Sequence, residues 1–206
     1  SRLTCVGAGW ATGERHVPAL LRNPGARVLG VVDKHPERAQ ALALRYDLPH
    51  SGVSLDEPWT SDATCLAVGT PPWTHGDLLE AAVDRGWHCL CEKPFVLPST
   101  RGTELARRAA DAGLVVGVVH NFQFSRAASR LFDLLDRGRL GRIESVYGFQ
   151  LSNHRRRLPH WYRDLPGGLF LDETPHLLYL IRRVLGDLEP RMIDARLDGA
   201  EIRDLT

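Results

Sequence analysis

No run of apolar residues approaches the ~18 that a membrane-crossing helix requires. Charge of one sign is also missing in any excess: the formal net charge is +1. Phosphate backbones and anionic membrane surfaces attract basic surplus, so neither nucleic acid nor a membrane is expected as a partner. Cysteine is scarce. The four thiols are Cys5, Cys65, Cys89 and Cys91, all in apolar, strand-like runs. Cys89 and Cys91 are two apart and therefore share one face of a strand. No further ligands stand at metal-site spacing, so no metal is expected. Buried, reduced thiols fit a reducing compartment, which makes the cytoplasm the expected location. Internal repeats and low-complexity segments are absent. No secretory leader is expected, because the N-terminus runs straight into a short strand and a glycine loop. With Ser1 as the first residue, removal of an initiator Met is expected.

What is present is an ordinary globular composition, 43% hydrophobic and 25% charged, in 206 residues. That length suits one large domain or two small ones and can bury roughly 70% of its unfolded surface. Up to about position 120, short apolar runs alternate with segments of helical periodicity. The runs are Leu3–Val6, Val28–Val32, Ala63–Val68, Trp87–Cys91 and Leu114–Val119. The helical stretches are Arg15–Arg22, Pro36–Tyr46, His75–Arg85 and Thr100–Ala112. Near-continuous apolar strands alternating with helices predict an α/β fold: a doubly wound parallel sheet covered on both faces. Thr74 stands where it can cap the helix after it, and Gly86 and Gly113 stand where helices should stop.

Beyond position 120 the rhythm changes. Ala127–Arg137 predicts a helix closed by Gly138, and Leu169–Leu185 another closed by Gly186. Arg142–Asn153 and Arg191–Leu197 alternate apolar and polar side chains, as strands wetted on one face do. Arg155–Gly168 reads as a loop. The chain thus divides into two domains, 1–120 and 121–206, the second α+β with an open mixed sheet.

The first strand ends in Gly7-Ala8-Gly9-Trp10-Ala11-Thr12-Gly13. Gly7 and Gly9 match the first two glycines of a dinucleotide loop. The first permits the tight turn, and the second lets backbone approach a pyrophosphate resting on the helix N-terminus. Thr12 takes the third position, and Gly13 comes one place late. The second strand ends at Asp33, where an acid accepts from adenosine ribose hydroxyls and repels a 2′-phosphate. That favours NAD; Lys34 and Arg38, close by, suit a phosphate and keep NADP open.

Several further segments resemble one family. They are His16-Val17-Pro18-Ala19-Leu20, Thr70-Pro71-Pro72-Trp73-Thr74-His75, Cys91-Glu92-Lys93-Pro94, His120-Asn121-Phe122, Gly138-Arg139-Leu140-Gly141, Gly167-Gly168-Leu169-Phe170-Leu171-Asp172 and His176. In this order they look like the Gfo/Idh/MocA oxidoreductases, named for glucose-fructose oxidoreductase and inositol dehydrogenase, across nearly the whole chain. The resemblance implies a Rossmann domain followed by a domain whose open sheet faces the cofactor. It implies that Lys93 contacts the reacting oxygen, that Glu92 lies near the nicotinamide ribose, and that Thr70, Pro71 and Pro72 line the cofactor cleft. Asp172 and His176 match the family's Asp-x-x-x-His pair. Trp10 and His75 complete the candidate cofactor set, and His75 and His120 also admit a structural reading. Asn121 and Trp161 are candidate substrate contacts. Trp10 and Trp73 stand where they could also line that cleft or pack in a core.

Chemistry supports these roles independently. Positions 172 and 176 share one face of a helix. Histidine suits general acid–base work near neutrality, and a lysine at a strand's C-terminal end sits where open α/β sheets bind ligands. The expected activity is NAD(P)-dependent hydride transfer at a hydroxyl or carbonyl carbon of a sugar, aminosugar or cyclitol. A catalytically inactive dinucleotide-binding regulator, or an assembly subunit of the same fold, is the alternative. Gln123 replaces the arginine-containing pattern expected after Asn121. The basic run His154–Arg157 reads as a solvated loop, or as a contact for an acidic sugar, a nucleotide sugar or a neighbouring subunit. The second domain is shorter than the family's usually is. A sheet cut short exposes unpaired backbone and an apolar face, so a covering chain, as in a homo-oligomer joined through the C-terminal sheet, or a fragment is expected.

Overall fold

The computed structural model describes residues 1–151, 160–165, 167–192 and 194. Packing divides the chain into two units, Ser1–Val119 and His120–Thr206.

In the first unit, six strands form one parallel sheet: β1 (Arg2–Val6), β2 (Arg27–Val32), β3 (His50–Gly52), β4 (Cys65–Val68), β5 (His88–Cys91) and β6 (Val116–Val118). Their spatial order is β3-β2-β1-β4-β5-β6, the doubly wound order that reverses between β1 and β4. A π-helical turn, Thr12–His16, leads into α1 (Val17–Leu21). The remaining helices are α2 (Pro36–Tyr46), α3 (His75–Asp84) and α4 (Ser99–Asp111). The apolar runs become strands because both faces are covered. Val6, Leu66, Val68, Cys89 and Cys91 pack with Leu79, Ala82 and Val83 of α3 and Leu105 and Ala109 of α4. Cys5, Val28, Val31 and Ala67 pack with Val17 of α1 and Ala39, Leu42 and Ala43 of α2.

A bulge between Leu3 and Thr4 shifts the β1–β2 register, so that Cys5 pairs Val31 and Val6 pairs Val32. The extra residue restores the alternation of the two strands, with Val31 joining Cys5 on one face and Val32 joining Val6 on the other. Helices α3 and α4 are followed by Gly86 and Gly113, at φ +72° and +70°, the left-handed geometry at which a helix stops. Thr74 occupies the residue before α3, but its side chain does not cap the helix. Its hydroxyl instead donates into the preceding turn, where the Thr70 hydroxyl lies at 2.6 Å and the Pro71 carbonyl at 2.8 Å.

In the second unit, a 3-10 turn, Asn121–Phe124, precedes α5 (Arg126–Asp136). A second such turn, His160–Asp164, stands where a plain loop was expected, and α6 (Gly168–Leu185) comes after it. The Ser125 hydroxyl caps α5 by accepting from the Ala128 N–H at 3.2 Å. Arg183 of α6 ties back to Asp136 at 2.8 Å and lies over the Phe132 ring.

The strand expected over Arg142–Asn153 is not formed among its described residues, 142–151. A strand needs a ladder partner for its N–H and C=O groups, and none of the described residues provides one. The segment is anchored by side chains instead, with the Gln150 amide donating to Glu173 at 3.0 Å. Tyr147, Phe149 and Leu151 project outward and are more than four-fifths exposed. The expected open mixed sheet therefore has no counterpart among the described residues of this unit. Residues 152 and 153, the run His154–Arg157 and most of the expected strand Arg191–Leu197 lie outside the described residues. Among the described residues, no helix is long and apolar enough to cross a membrane, and no group of acids, histidines and cysteines is placed to hold a metal.

Candidate active site

The C-terminal ends of β1, β2, β4 and β5 carry most of the candidate residues of the first unit. Gly7 closes β1 at φ +87°, and a Cβ there would meet the Thr70 side chain at 2.7 Å and the Gly69 carbonyl at 3.0 Å. Both the turn and the close approach of the β4 loop therefore require glycine. Above Gly9 there is open space, as a backbone that admits a pyrophosphate needs.

Thr12, in place of the third glycine, is buried, and its partner supplies the missing room. A Cβ on Gly69 would fall 2.3 Å from Thr12 Oγ1. Helix and strand thus approach closely with the glycine on the strand rather than on the helix. Thr12 Oγ1 is buried and has no hydrogen-bond partner among the described residues. Trp10 is two-thirds exposed at the loop's crest, with the Arg15 guanidinium 5.0 Å from its ring centre.

Asp33 braces the loop. One carboxylate oxygen accepts from the Ala8 N–H at 2.7 Å and the other from the His35 N–H at 2.9 Å. Each oxygen keeps a second lone pair for a ribose hydroxyl. Lys34 beside it is exposed.

The Thr70–Pro72 turn and the Glu92–Pro94 loop are stapled together by His75, which is wholly buried. Its Nδ1 lies 2.9 Å from the Pro94 carbonyl and 3.0 Å from that of Phe95, and its Nε2 lies 2.9 Å from the Thr70 carbonyl. With both ring nitrogens on main chain, His75 acts on the candidate cofactor wall by fixing these two loops.

Glu92 and the half-buried Lys93 come directly after β5. Glu92 Oε1 is 2.9 Å from His16 Nε2, and its Oε2 accepts from the Lys93 N–H at 3.2 Å. Burial alone would raise the Glu92 pKa. The hydrogen bond and charge of His16, with the Lys93 N–H and charge, outweigh it and hold the carboxyl below its ordinary range.

In the second unit, Asp172 and His176 both fall on buried positions of α6, 1% and 6% exposed. Pro175 between them removes the N–H that would return to Leu171. The Tyr162 hydroxyl donates to Asp172 Oδ2. His176 Nδ1 lies 3.0 Å from the Tyr179 hydroxyl, whose oxygen also accepts the Phe122 N–H at 2.9 Å. The Phe122 ring stacks on His176, centroids 4.2 Å apart. Trp161 stacks on Tyr162 at 4.3 Å, and Asn121 is exposed. The His120 ring tilts against Tyr179 at 4.4 Å, and burial lowers its pKa.

The sequence pattern does not single out His16, Tyr162 or Tyr179. His16 stands only inside a matched segment. The two tyrosines carry no spacing signal, and Tyr179 is separated from its partner Phe122 by more than fifty positions.

A doubly wound sheet with this glycine loop, an open space over its second glycine and an acid bracing it from β2 defines an NAD-binding Rossmann fold. Residues 2–120 match the family described as "Oxidoreductase family, NAD-binding Rossmann fold". The chain belongs to this family, Gfo/Idh/MocA. It is 30% identical over 194 residues to inositol 2-dehydrogenase of Rhizobium meliloti (strain 1021), covering 94% of this chain and 57% of that protein. It is 29% identical over 191 residues to 1,5-anhydro-D-fructose reductase of Ensifer adhaerens, with 91% and 57% covered. The crystal structure of GenD2 from gentamicin A biosynthesis, in complex with NAD, superposes with a TM-score of 0.76 at 28% identity, covering 90% of this chain and 53% of that one. The chain thus spans a little over half the length of the curated relatives it matches.

Proposed function

We propose that the protein is an NAD(P)-dependent oxidoreductase acting on a CH–OH or carbonyl carbon of a sugar, aminosugar or cyclitol. One observation carries the reading: a half-buried lysine, Lys93, stands just past the end of β5, next to a carboxylate, Glu92, that is tied to the helical turn opened by the dinucleotide loop. The family's description supports an NAD-binding oxidoreductase, and the relatives' names, an inositol dehydrogenase and an anhydrofructose reductase, support the substrate class.

Gly7, Gly9, Trp10, Thr12, Asp33, Lys34, Thr70, Pro71, Pro72 and Glu92 would hold the dinucleotide, with His75 fixing their loops. Asp33 favours NAD, because a 2′-phosphate beside its carboxylate would be repelled. The bound nicotinamide would supply the hydride acceptor or donor. In oxidation, Lys93 stabilises the negative charge that develops on the substrate oxygen, and His176 takes the hydroxyl proton. Asp172 orients His176, while Asn121 and Trp161 contact the substrate. Reduction runs the same roles backwards. On this reading residues 1–120 bind cofactor and 121–206 bind substrate. The outward Tyr147, Phe149 and Leu151 form part of a homo-oligomer contact, which the solution mass tests. The four free thiols suit the reducing cytoplasm.

The test is a fluorescence titration with NAD and NADP, followed by a panel of inositols, sugars and aminosugars read at the nicotinamide absorbance. Lys93→Ala should keep cofactor binding and lose turnover by about a hundredfold or more, the scale of losing one group that stabilises a transition-state charge. Full turnover in Lys93→Ala would overturn the mechanism. Binding without turnover of any compound would favour the regulator.

A further inference from the structure

We propose that His16 is a positioning residue for the Glu92–Lys93 loop, carried by a π-helical turn that Tyr46 holds in place. In an α-helix the Val17 N–H would donate to the carbonyl four residues back, that of Gly13. Here it donates to Thr12, five residues back. The freed Gly13 carbonyl accepts from the Tyr46 hydroxyl of α2 at 2.6 Å. Pro18 comes next and has no N–H with which to resume the four-residue ladder at Glu14. The wide turn is therefore held at both ends, by a phenol from another helix and by a missing donor. His16 shares a face with Thr12 and Gly13, four and three residues before it, and is buried with them, while Glu14 and Arg15 face solvent.

Once inside, His16 meets the Glu92 carboxylate at 2.9 Å, the two side chains only 9% and 19% exposed. Glu92 spends one oxygen on His16 and the other on the Lys93 N–H. A carboxylate tied at both oxygens cannot swing, so its remaining lone pairs keep one direction beside Lys93. The inference rests on the proposed function in one respect: Glu92 is taken to face the nicotinamide ribose. His16 then sets cofactor affinity at one remove, by holding a carboxylate in place.

The experiment exploits which ring nitrogen is used. Glutamine can place its amide N–H where Nε2 stands, whereas asparagine reaches only to the position of Nδ1. His16→Gln, His16→Asn and Tyr46→Phe are each titrated with NAD by intrinsic fluorescence, and Tm is measured without NAD. His16→Asn should bind NAD about tenfold more weakly, one charge-assisted hydrogen bond's worth, and His16→Gln should recover most of the loss even where the two variants melt alike. Tyr46→Phe, which loosens the turn but leaves His16 and Glu92 intact, should weaken NAD about threefold, part of a hydrogen bond's worth. Equal NAD affinity in His16→Asn and His16→Gln, whether both wild-type-like or both reduced, would overturn the proposal. If His16→Asn fails to fold, unchanged affinity in Tyr46→Phe overturns it. If the unaltered chain binds no NAD, the cofactor reading falls and takes this inference with it; binding by the unaltered chain keeps the two failures apart.

Discussion

Gly69→Ala should damage the fold through a single contact. The added methyl carbon would stand 2.3 Å from Thr12 Oγ1, with the next atoms, Thr12 Cβ and N, at 3.6 and 3.7 Å. A carbon and an oxygen cannot approach that closely, so either β4 or the start of the helical turn must move. Thr12 has little room to give, being 1% exposed, and its neighbour Gly13 is fixed through its carbonyl by Tyr46. Overpacking of this kind costs about 1–3 kcal/mol, a fall of roughly 3–10 °C in Tm for a chain this long. The clash is with one hydroxyl, so Thr12→Ala should relieve it. The double variant Gly69→Ala/Thr12→Ala should regain most of what Gly69→Ala loses. Urea unfolding of the four proteins closes the cycle, and the coupling should be about 1 kcal/mol or more in favour of the pair. Additive losses would show that Gly69 and Thr12 are not interlocked, and the account of the missing third glycine would fail.

Three other predictions rest on single groups. Glu92 has its pKa lowered in the folded chain from an ordinary value of 4.5, so its contribution is present above that value and lost as pH falls through the lower, folded one. Stability measured from about pH 6 to about pH 3 should therefore fall less in Glu92→Gln than in wild type, and parallel curves would contradict the pairing with His16. Tyr162→Phe withdraws the hydroxyl that donates to the buried Asp172 carboxylate; it should cost about 1.5–3 kcal/mol, and an unmoved unfolding midpoint would argue that Asp172 is held by other groups. Burial pushes the Cys5 and Cys89 thiols up to about 12 and raises Cys91 as well. Near pH 8 an aromatic disulfide reagent should thus modify the half-buried Cys65 first, and rapid reaction at Cys5 would mean that the sheet opens.

The sheet was readable where burial on both faces leaves a continuous apolar run, as in Val28–Val32 and Ala63–Val68. Strand β3 left no such trace. His50, Ser51 and Gly52 are polar or small, and they become a strand only because β2 offers its edge, Gly30 opposite His50 and Val32 opposite Gly52. The same dependence runs the other way at Arg142–Asn153. Its apolar and polar side chains alternate, yet pattern sets only which side chains share a face. Pairing requires a second backbone, and none is present among the described residues.

The candidate site divides along a similar line. Glycines and a lysine at strand ends are legible, because turn geometry and topology demand them at fixed offsets. Partners that lie far apart in the sequence are not. Periodicity puts His16 on the buried face with Thr12 and Gly13, four and three positions back, but nothing in it names Glu92 as the group it meets. The turn that carries it is held by a phenol thirty-three positions away, Tyr46 on Gly13, in a helix whose own pattern reports only that it is amphipathic. The substitution at Thr12 is of this kind too. On the sequence it is a weakened match, and it becomes an intact helix–strand contact only when Gly69 is found across from it. A motif read along one strand of chain therefore underestimates the site wherever the room or the donor it needs comes from another element.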